Sequence, residues 1–125
     1  IAQLDYVKPV IQRYRENGDY FDRALAGISG ITLLQRPRNS VSAYWTYSLR
    51  AERRMDLMRK LHANGVGAQR LHVRADRYSC FSGARRAGAL PGVDILDREN
   101  LSIPCGWWVT AEDRERIAAC IRSGW

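Results

Sequence analysis

Apolar residues recur with two different spacings along this chain, and these spacings constrain its fold more than any other feature. The first part of the chain carries a stripe in which apolar side chains recur every three or four positions, the period of an amphipathic α-helix. The members of this stripe are Leu4, Val7, Ile11, Tyr14, Phe21, Leu25 and Ile28. Pro9 would remove a backbone donor from the helix interior, so we expect a kink or a fresh helix start there.

A strict alternation of apolar and polar residues follows between Ser42 and Leu49. This period of two, in residues that favour strands, predicts a β-strand. The side chains expected to face one side of that strand are Ala43, Trp45, Tyr47 and Leu49. We expect its aromatic residues to lie in the core, with a ligand-stacking role for Tyr44 or Trp45 as the alternative.

Helical and strand-like segments alternate through the rest of the chain. Residues 52–64 predict a helix that buries Met55, Met58 and Leu61, and Gly65 with Val66 predicts its C-terminal cap. A short strand also fits residues 31–34. The other expected elements are a strand at 67–73, a mobile loop at 82–88, a helix at 93–100, a strand at 101–103 and a last helix capped by Thr110.

This order of elements predicts a small α+β domain. Strands near residues 45, 69 and 102 would form a three-stranded, mainly antiparallel sheet with helices packed on one side, preceded by a long N-terminal helix. A chain of 125 residues is long enough to bury a core without metals or disulfides. No segment has the composition of a linker, so we expect one domain over residues 1–125.

The charge of the chain favours anionic partners. Its formal net charge is +7, carried by 20 basic residues of which only Lys8 and Lys60 are lysines. Arginine forms planar, forked contacts with carboxylates and phosphates. Because the arginines are scattered through every segment, nucleic-acid binding is not expected, and the pair Arg53 and Arg54 is interpreted as a solvated helix face. No apolar run approaches the length of a membrane span, so no membrane partner is expected.

The cysteines indicate a reducing compartment. Cys80, Cys105 and Cys120 are an odd set without closely spaced pairs, which argues against a disulfide framework and predicts a cytoplasmic protein. We expect all three to be small buried hydrophobic residues. Nucleophilic catalysis by Cys80, and a zinc site made by the cysteines with His72, are both disfavoured because no motif surrounds them.

His72 is the most promising candidate for contact with a ligand. It precedes Arg74, Asp76, Arg77 and Tyr78, a cluster that could hold a phosphate or a sugar hydroxyl. The alternative is a structural histidine, with Asp76 paired to an arginine on the surface. The sequence therefore places any small anionic ligand near His72.

Several short motifs together resemble one enzyme family. Gly65-Val66 and the following RLHVRADRYSCF resemble the "VHxRND…F" form found in a nucleotide-sugar branch of the DegT/DnrJ/StrS family of pyridoxal-phosphate sugar aminotransferases. The other segments similar to family motifs are Ala2-Gln3-Leu4, Arg13-Tyr14-Arg15-Glu16, LAGISGI at 25–31, SAYW at 42–45, Leu90-Pro91, LSIP at 101–104, GWW at 106–108 and TAED at 110–113. The resemblance runs nearly from end to end.

The resemblance implies the C-terminal small domain of a fold-type-I enzyme, with residues 1–30 as a connecting helix and 31–125 as the small domain. Such enzymes move an amino group from glutamate to a nucleotide-linked keto sugar with the help of pyridoxal phosphate (PLP). The family's cofactor lysine and other cofactor-binding residues belong to an upstream large domain that these residues do not include. Lys8 and Lys60 do not occupy that lysine's motif. We therefore expect no cofactor in this chain, PLP in a full-length parent, and no activity of the fragment alone.

The same resemblance implies the site residues and the partners. By position His72 matches the family's histidine near the sugar-nucleotide pocket, and Arg74 and Tyr78 are expected beside it. The branch's Arg-Asn-Asp is Arg74-Ala75-Asp76 here, so the asparagine side chain is missing. Family members are usually dimers. We expect a nucleotide-sugar substrate in the parent, and a homodimer or self-association through the face that the large domain normally covers.

Two hypotheses about function remain open at this point. In the first, the chain is part of an aminotransferase, as its opening inside a helical pattern at Ile1 would fit. In the second, it is a stand-alone truncated relic whose basic surface binds an anionic ligand or a partner protein. Whether this chain is itself an enzyme stays open, because a fold alone does not determine function.

Overall fold

The computed structural model describes residues 3–84 and 88–125 of the chain. The four α-helices of this part are α1 (Leu4–Ala24), α2 (Arg54–Ala63), α3 (Pro91–Glu99) and α4 (Ala111–Arg122). Its three strands are β1 (Ile31–Leu33), β2 (Tyr47–Ala51) and β3 (Asn100–Ile103), and two short 3₁₀ turns cover Ala75–Arg77 and Ser79–Phe81. Ala2 of the first family motif and residues 85–87 of the expected loop lie outside the described residues.

The strands form one antiparallel sheet in the order β1-β2-β3. β2 is the central strand, with Leu49 opposite Leu33 on one side and Leu101 on the other. Its side chains alternate between buried and half-buried positions, and Tyr47 and Ala51 join Leu49 among the buried ones. The α+β class and the three-stranded antiparallel sheet are therefore confirmed.

The predicted strand at 42–49 is wrong in its first half. Tyr44 has a left-handed backbone (φ 46°), and its ring stacks on that of Tyr47 with 6.1 Å between the centroids. This conformation breaks the alternation, so the strand starts only at Tyr47. Tyr44 is buried, whereas Trp45, predicted to face inward, is 73% exposed.

The predicted strand at 67–73 is also wrong. Only Gln69 pairs with the sheet, through two backbone hydrogen bonds of 2.9 Å with Ser102. Beyond it, the side chains of Arg70 and Arg74 form ion pairs with carboxylates of α3, so this segment is anchored to a helix instead of extending the sheet. The third strand of the sheet is β1, where the sequence fitted a short strand.

Helix α1 runs from Leu4 through Pro9 without a break, so of the kink or fresh start expected at Pro9 the fresh start is wrong, and the kink stays a prediction. Proline removes only the hydrogen bond to the carbonyl of Asp5, and Asp5 is exposed, so solvent can satisfy that carbonyl. The apolar stripe of α1 splits into two parts. Phe21 and Leu25 are fully buried, whereas Leu4 is 67% exposed.

Local capping signals in the sequence are confirmed. Gly65 follows α2 with a positive φ of 72°, and the N–H of buried Val66 donates to the carbonyl of Leu61 at 2.9 Å. At the start of α4, the N–H of Asp113 donates to Thr110 Oγ1 at 3.1 Å. The Thr110 N–H donates back to the Asp113 carboxylate at 3.2 Å, which completes a capping box.

The core lies between the sheet, α2, α4 and the C-terminal half of α1. Besides two tyrosines, its buried members include Phe21, Leu25, Leu49, Leu57, Leu61, Leu101, Ile103, Ile117 and Ile121. In α2, Leu57 takes the inward position predicted for Met55, which is 46% exposed. Cys105 and Cys120 are buried as predicted, but Cys80 is exposed, so that prediction is wrong for Cys80.

Candidate functional site

His72 lies in the irregular segment between the Gln69 bridge and the first 3₁₀ turn. Its side chain is exposed and lines a small cavity of about 110 Å³. Valine and leucine side chains from the same segment and from α3 form much of that cavity's lining, which includes Val73, Val93 and Leu96. His72 is thus open to a ligand and lies beside an apolar surface.

Arg74 is engaged by carboxylates on two sides. Its guanidinium forms a fork with Asp76, with distances of 2.6 Å from Nε to Oδ1 and 2.9 Å from Nη2 to Oδ2. It also donates to Asp94 of α3. The hydrogen bonds to Asp76 and then Asp94 raise the pKa of Arg74 above its ordinary value. This arrangement holds the segment against α3, and it includes the surface pair of Asp76 that was the alternative to a ligand role.

Tyr78 lies apart from the other two predicted site residues. It precedes the second 3₁₀ turn, is 51% exposed, and its N–H donates to the carbonyl of Ala75 at 3.1 Å. It is not among the residues that line the His72 cavity, whereas Arg74 is. The structure therefore brings His72 and Arg74 together around one cavity and leaves Tyr78 outside it.

A larger cleft of about 630 Å³ opens beside this cavity and shares Arg74 and Asp97 with it. The six arginines that line it are Arg53, Arg54, Arg70, Arg74, Arg77 and Arg98. Sequence reasoning missed this cleft because it treated the arginines as scattered, and it interpreted Arg53 and Arg54 as a solvated face. The spacing of residues 70, 74 and 77 was the available signal, since three arginines recur there within eight positions.

Asp97 of α3 organises the floor of this arginine cleft. Its carboxylate accepts a hydrogen bond from Arg70 and forms an ion pair of 2.6 Å with Arg77. Its backbone carbonyl accepts from Arg54 Nη1 at 2.6 Å. Burial, followed by repulsion from Arg70, lowers the pKa of Arg54 below its ordinary value. The carboxylate of Asp97 thus pairs with two arginines, and the backbone carbonyl of Asp97 binds a third.

Aromatic residues surround a third cavity, of about 260 Å³. Trp45 and Trp108 line it together with Gln69 and Leu71. Tyr44, in contrast, is buried, and its hydroxyl donates to carboxylates of α1. Of the two candidates for ligand stacking, only Trp45 therefore has an accessible ring.

Metal binding, reactive thiols and a membrane span were three further possibilities for residues 3–84 and 88–125. Within these ranges no three histidine, cysteine or acidic side chains come together in a way that could hold a metal ion. The three cysteines are free thiols, and Cys80, at the exposed turn, is the accessible one. No helix among the described residues has the length and apolar character needed to cross a bilayer.

Comparison with known proteins identifies the family. The model of the DegT/DnrJ/EryC1/StrS aminotransferase family matches residues 1–122. A comparison with curated protein sequences finds no match. Among solved structures, the sugar aminotransferase CalS13 from Micromonospora echinospora is 36% identical over 98% of this chain, with a TM-score of 0.91.

Other solved structures share the fold over the same length. AtS13 from Actinomadura melliaura is 38% identical over 99% of this chain, again with a TM-score of 0.91. DesV from S. venezuelae is 22% identical over 98% of this chain with a TM-score of 0.89, a likeness of fold. The chain covers 32% of CalS13 and 33% of AtS13, so it spans about a third of these relatives. From the family match over residues 1–122, the chain belongs to the DegT/DnrJ/EryC1/StrS aminotransferase family.

Proposed function

We propose that this chain is the C-terminal domain of a PLP-dependent aminotransferase that acts on a nucleotide-linked keto sugar. The observation that supports this most strongly is the 36% identity, at a TM-score of 0.91, to the sugar aminotransferase CalS13. In this proposal residues 1–30 connect the domain to a large domain, and residues 31–125 form the small domain.

The cofactor would be held by the rest of the parent enzyme. When bound, PLP supplies the electron sink that lets an amino group leave one substrate and join another. Lys60 Nζ donates to Ser123 Oγ at 2.6 Å and to the carbonyl of Gly124, and Lys8 lies on the exposed half of α1. Neither lysine lines the cavities described above. These positions do not fit a Schiff-base lysine, and we propose that the fragment alone is inactive.

The three predicted site residues would play different parts in the parent. His72, exposed beside its cavity, would contact the sugar nucleotide directly, whereas a contact from Tyr78, which lies outside that cavity, stays a prediction. Arg74 already binds Asp76 and Asp94, so it would act mainly by holding the His72 segment against α3. Direct contact of Arg74 with substrate stays a prediction.

The partners and the location follow from the same proposal. The exposed apolar residues Leu4, Tyr6 and Val7 would pack on the large domain or, in the isolated chain, on a second copy. The parent would be a homodimer. The three free thiols are compatible with a reducing cytoplasm.

A domain exchange tests this function. Residues 1–122 would replace the matching third of the sugar aminotransferase CalS13, which is 36% identical to this chain. We expect the chimera to bind PLP and to aminate a nucleotide-linked keto sugar. His72→Ala in the chimera should lower kcat/KM by about tenfold or more, because a positioned hydrogen-bonding group is lost. The matched control is Arg59→Ala, on the exposed face of α2.

Two results would contradict the proposal. One is a folded chimera that binds PLP yet leaves the keto sugar unchanged. The other concerns the isolated chain: when PLP is added, we expect no visible absorbance band from a lysine adduct beyond that of free PLP. A clear, stoichiometric band would show that Lys8 or Lys60 binds the cofactor.

A further inference from the structure

The arginine cleft has the dimensions of a ligand site. It lies between the first turn of α2, the segment around Arg70–Arg77 and helix α3. Its volume of about 630 Å³ falls within the range of small-molecule pockets, which is roughly 300–1,000 Å³. The cleft is therefore large enough for a nucleotide-sized anion.

The arginines of the cleft are neutralised unevenly. Two of the six, Arg74 and Arg98, pair with the carboxylates of Asp76, Asp94 and Glu99. The other four form ion pairs with only two carboxylates of the described residues, those of Asp56 and Asp97. Since like charges brought together repel, the positive charge left among these four arginines favours an anion that would neutralise it.

Arg53 and Arg54, at the start of α2, carry most of this surplus. Arg53 approaches a carboxylate of the described residues only at 3.8 Å, from Asp56, and is well exposed. Arg54 donates to a backbone carbonyl, and its Nε is buried without a hydrogen-bond partner among the described residues. A buried donor without an acceptor is costly, and a ligand oxygen could supply that acceptor.

The N-terminus of α2 opens onto the same cleft. The helix has ten residues, and its N-cap position is Arg53, whose side chain makes no capping hydrogen bond. The first backbone N–H groups of a helix and its dipole attract anions. The N-terminus of α2 and the arginines thus both favour a negative charge in the cleft.

We propose that the arginine cleft binds the phosphate or diphosphate group of a small molecule. A diphosphate offers oxygens in several directions, which suits guanidinium groups that converge from α2 and from the 70–77 segment. A single carboxylate could meet only one such fork. The inference does not depend on amino transfer by the parent, since it uses only residues of this chain.

Titration of the purified chain with inorganic pyrophosphate at low ionic strength tests the proposal. We expect saturable binding by calorimetry, with amide shifts in NMR spectra concentrated in residues 53–56. Arg53→Gln and Arg54→Met should each weaken binding by about tenfold, the usual range for one charge-assisted hydrogen bond. The matched control is Arg13→Gln, which removes one charge from an exposed pair on α1 and should change affinity less than about twofold.

Arg53→Gln keeps the test valid if Arg54→Met weakens the fold, because Arg54 links α2 to α3 whereas Arg53 is exposed. A nucleoside diphosphate that binds more tightly than pyrophosphate would identify a nucleotide as the ligand. Equal affinities would identify the phosphate groups alone. The proposal is overturned if pyrophosphate does not bind, if Arg13→Gln weakens binding as much as Arg53→Gln, or if glutamate binds more tightly. The domain-exchange test could still succeed in each of those cases, so the two failures are distinguishable.

Discussion

The two halves of α1 share one helical backbone and one apolar period, yet their environments are opposite. In the C-terminal half, Phe21 is fully buried against the sheet side of the core, and Asn17 is buried as well. In the N-terminal half, Leu4 and Tyr6 are 67% and 73% exposed. A stripe of apolar residues therefore shows which face of a helix can be buried, but not what buries it.

Asn17 shows why only one half is packed. Its side-chain amide donates to the carbonyls of Gly106 and Val109, at 2.9 and 3.1 Å, and its oxygen accepts from Arg114 Nη1 at 3.0 Å. These bonds fix the C-terminal half of α1 to α4 and to the loop before it. The described part of the domain places no equivalent element against Leu4, so the side chain of Leu4 stays largely exposed.

Substitution of Phe21 should have the largest effect. Phe21→Ala would open a cavity in the core and lower the free energy of unfolding by about 3–5 kcal/mol. Leu4→Ala is the matched control on the same helix and should change it by less than about 0.5 kcal/mol, because Leu4 is largely exposed. Urea unfolding followed by circular dichroism measures both. Equal losses would show that the N-terminal half is packed too.

Gly18 tests how tightly the C-terminal half of α1 is packed. A Cβ atom at this position would lie 2.3–2.4 Å from ring atoms of Tyr44, so Gly18→Ala should lower the free energy of unfolding by about 1–3 kcal/mol. Gly92, in α3, is the control, because a Cβ atom added there would meet nothing within 4 Å beyond its chain neighbours and the backbone of its own helix. Gly92→Ala should stabilise the protein by about 0.5–1 kcal/mol through helix propensity. Thermal unfolding measures both effects: the melting temperature should fall in Gly18→Ala and rise in Gly92→Ala.

The elements that could be predicted from the sequence are those with local signals. The capping box at Thr110 and the glycine after α2 are set by neighbouring residues, and both are confirmed. The start of β2 depends instead on Tyr44, whose ring packs on Gly18 in another element. The strand expected at 67–73 failed because Arg70 and Arg74 pair with α3, a contact that no local alternation reveals.

The same distinction applies to the candidate site. His72 could be selected from its neighbours in sequence and from the family motif, and its exposure leaves it open to a ligand. For the arginine cleft, the local sequence offers only the recurrence of arginine at positions 70, 74 and 77. Arg53, Arg77 and Arg98 come from three separate segments, and only the packing of α2 and α3 brings them to one cleft.

A hydrogen bond between Tyr47 of β2 and Asp22 of α1 should make the free energy of unfolding depend on pH. The Tyr47 hydroxyl donates to Asp22 of α1 at 2.8 Å, and burial, followed by that hydrogen bond, raises the pKa of Tyr47 above its usual value. The neutral phenol is thus favoured in the folded state. Its stabilising effect is complete below the unfolded pKa of about 10 and is lost as the pH rises from there toward the folded pKa.

Tyr47→Phe should therefore cost about 1.5–3 kcal/mol at neutral pH, the range for a hydrogen bond to a charged acceptor. The difference from the wild type should narrow as the pH rises above about 10, because only the wild type then loses stability through this group. Urea unfolding at a series of pH values measures the difference. A gap that stays constant or widens with pH would contradict the assigned hydrogen bond.

The exposed half of α1 should give the smallest change in stability. The double variant Leu4→Ser and Val7→Ser should alter the free energy of unfolding by less than about 0.5 kcal/mol. It should still weaken self-association in sedimentation velocity, because exposed apolar side chains favour contact with a second copy. Lys8→Gln, on the same exposed half of α1, is the control: it removes a charge and no apolar side chain, so it should leave self-association unchanged. A wild-type chain that stays monomeric at high concentration would contradict self-association through this surface, because the exposed apolar side chains would then not suffice to hold a second copy.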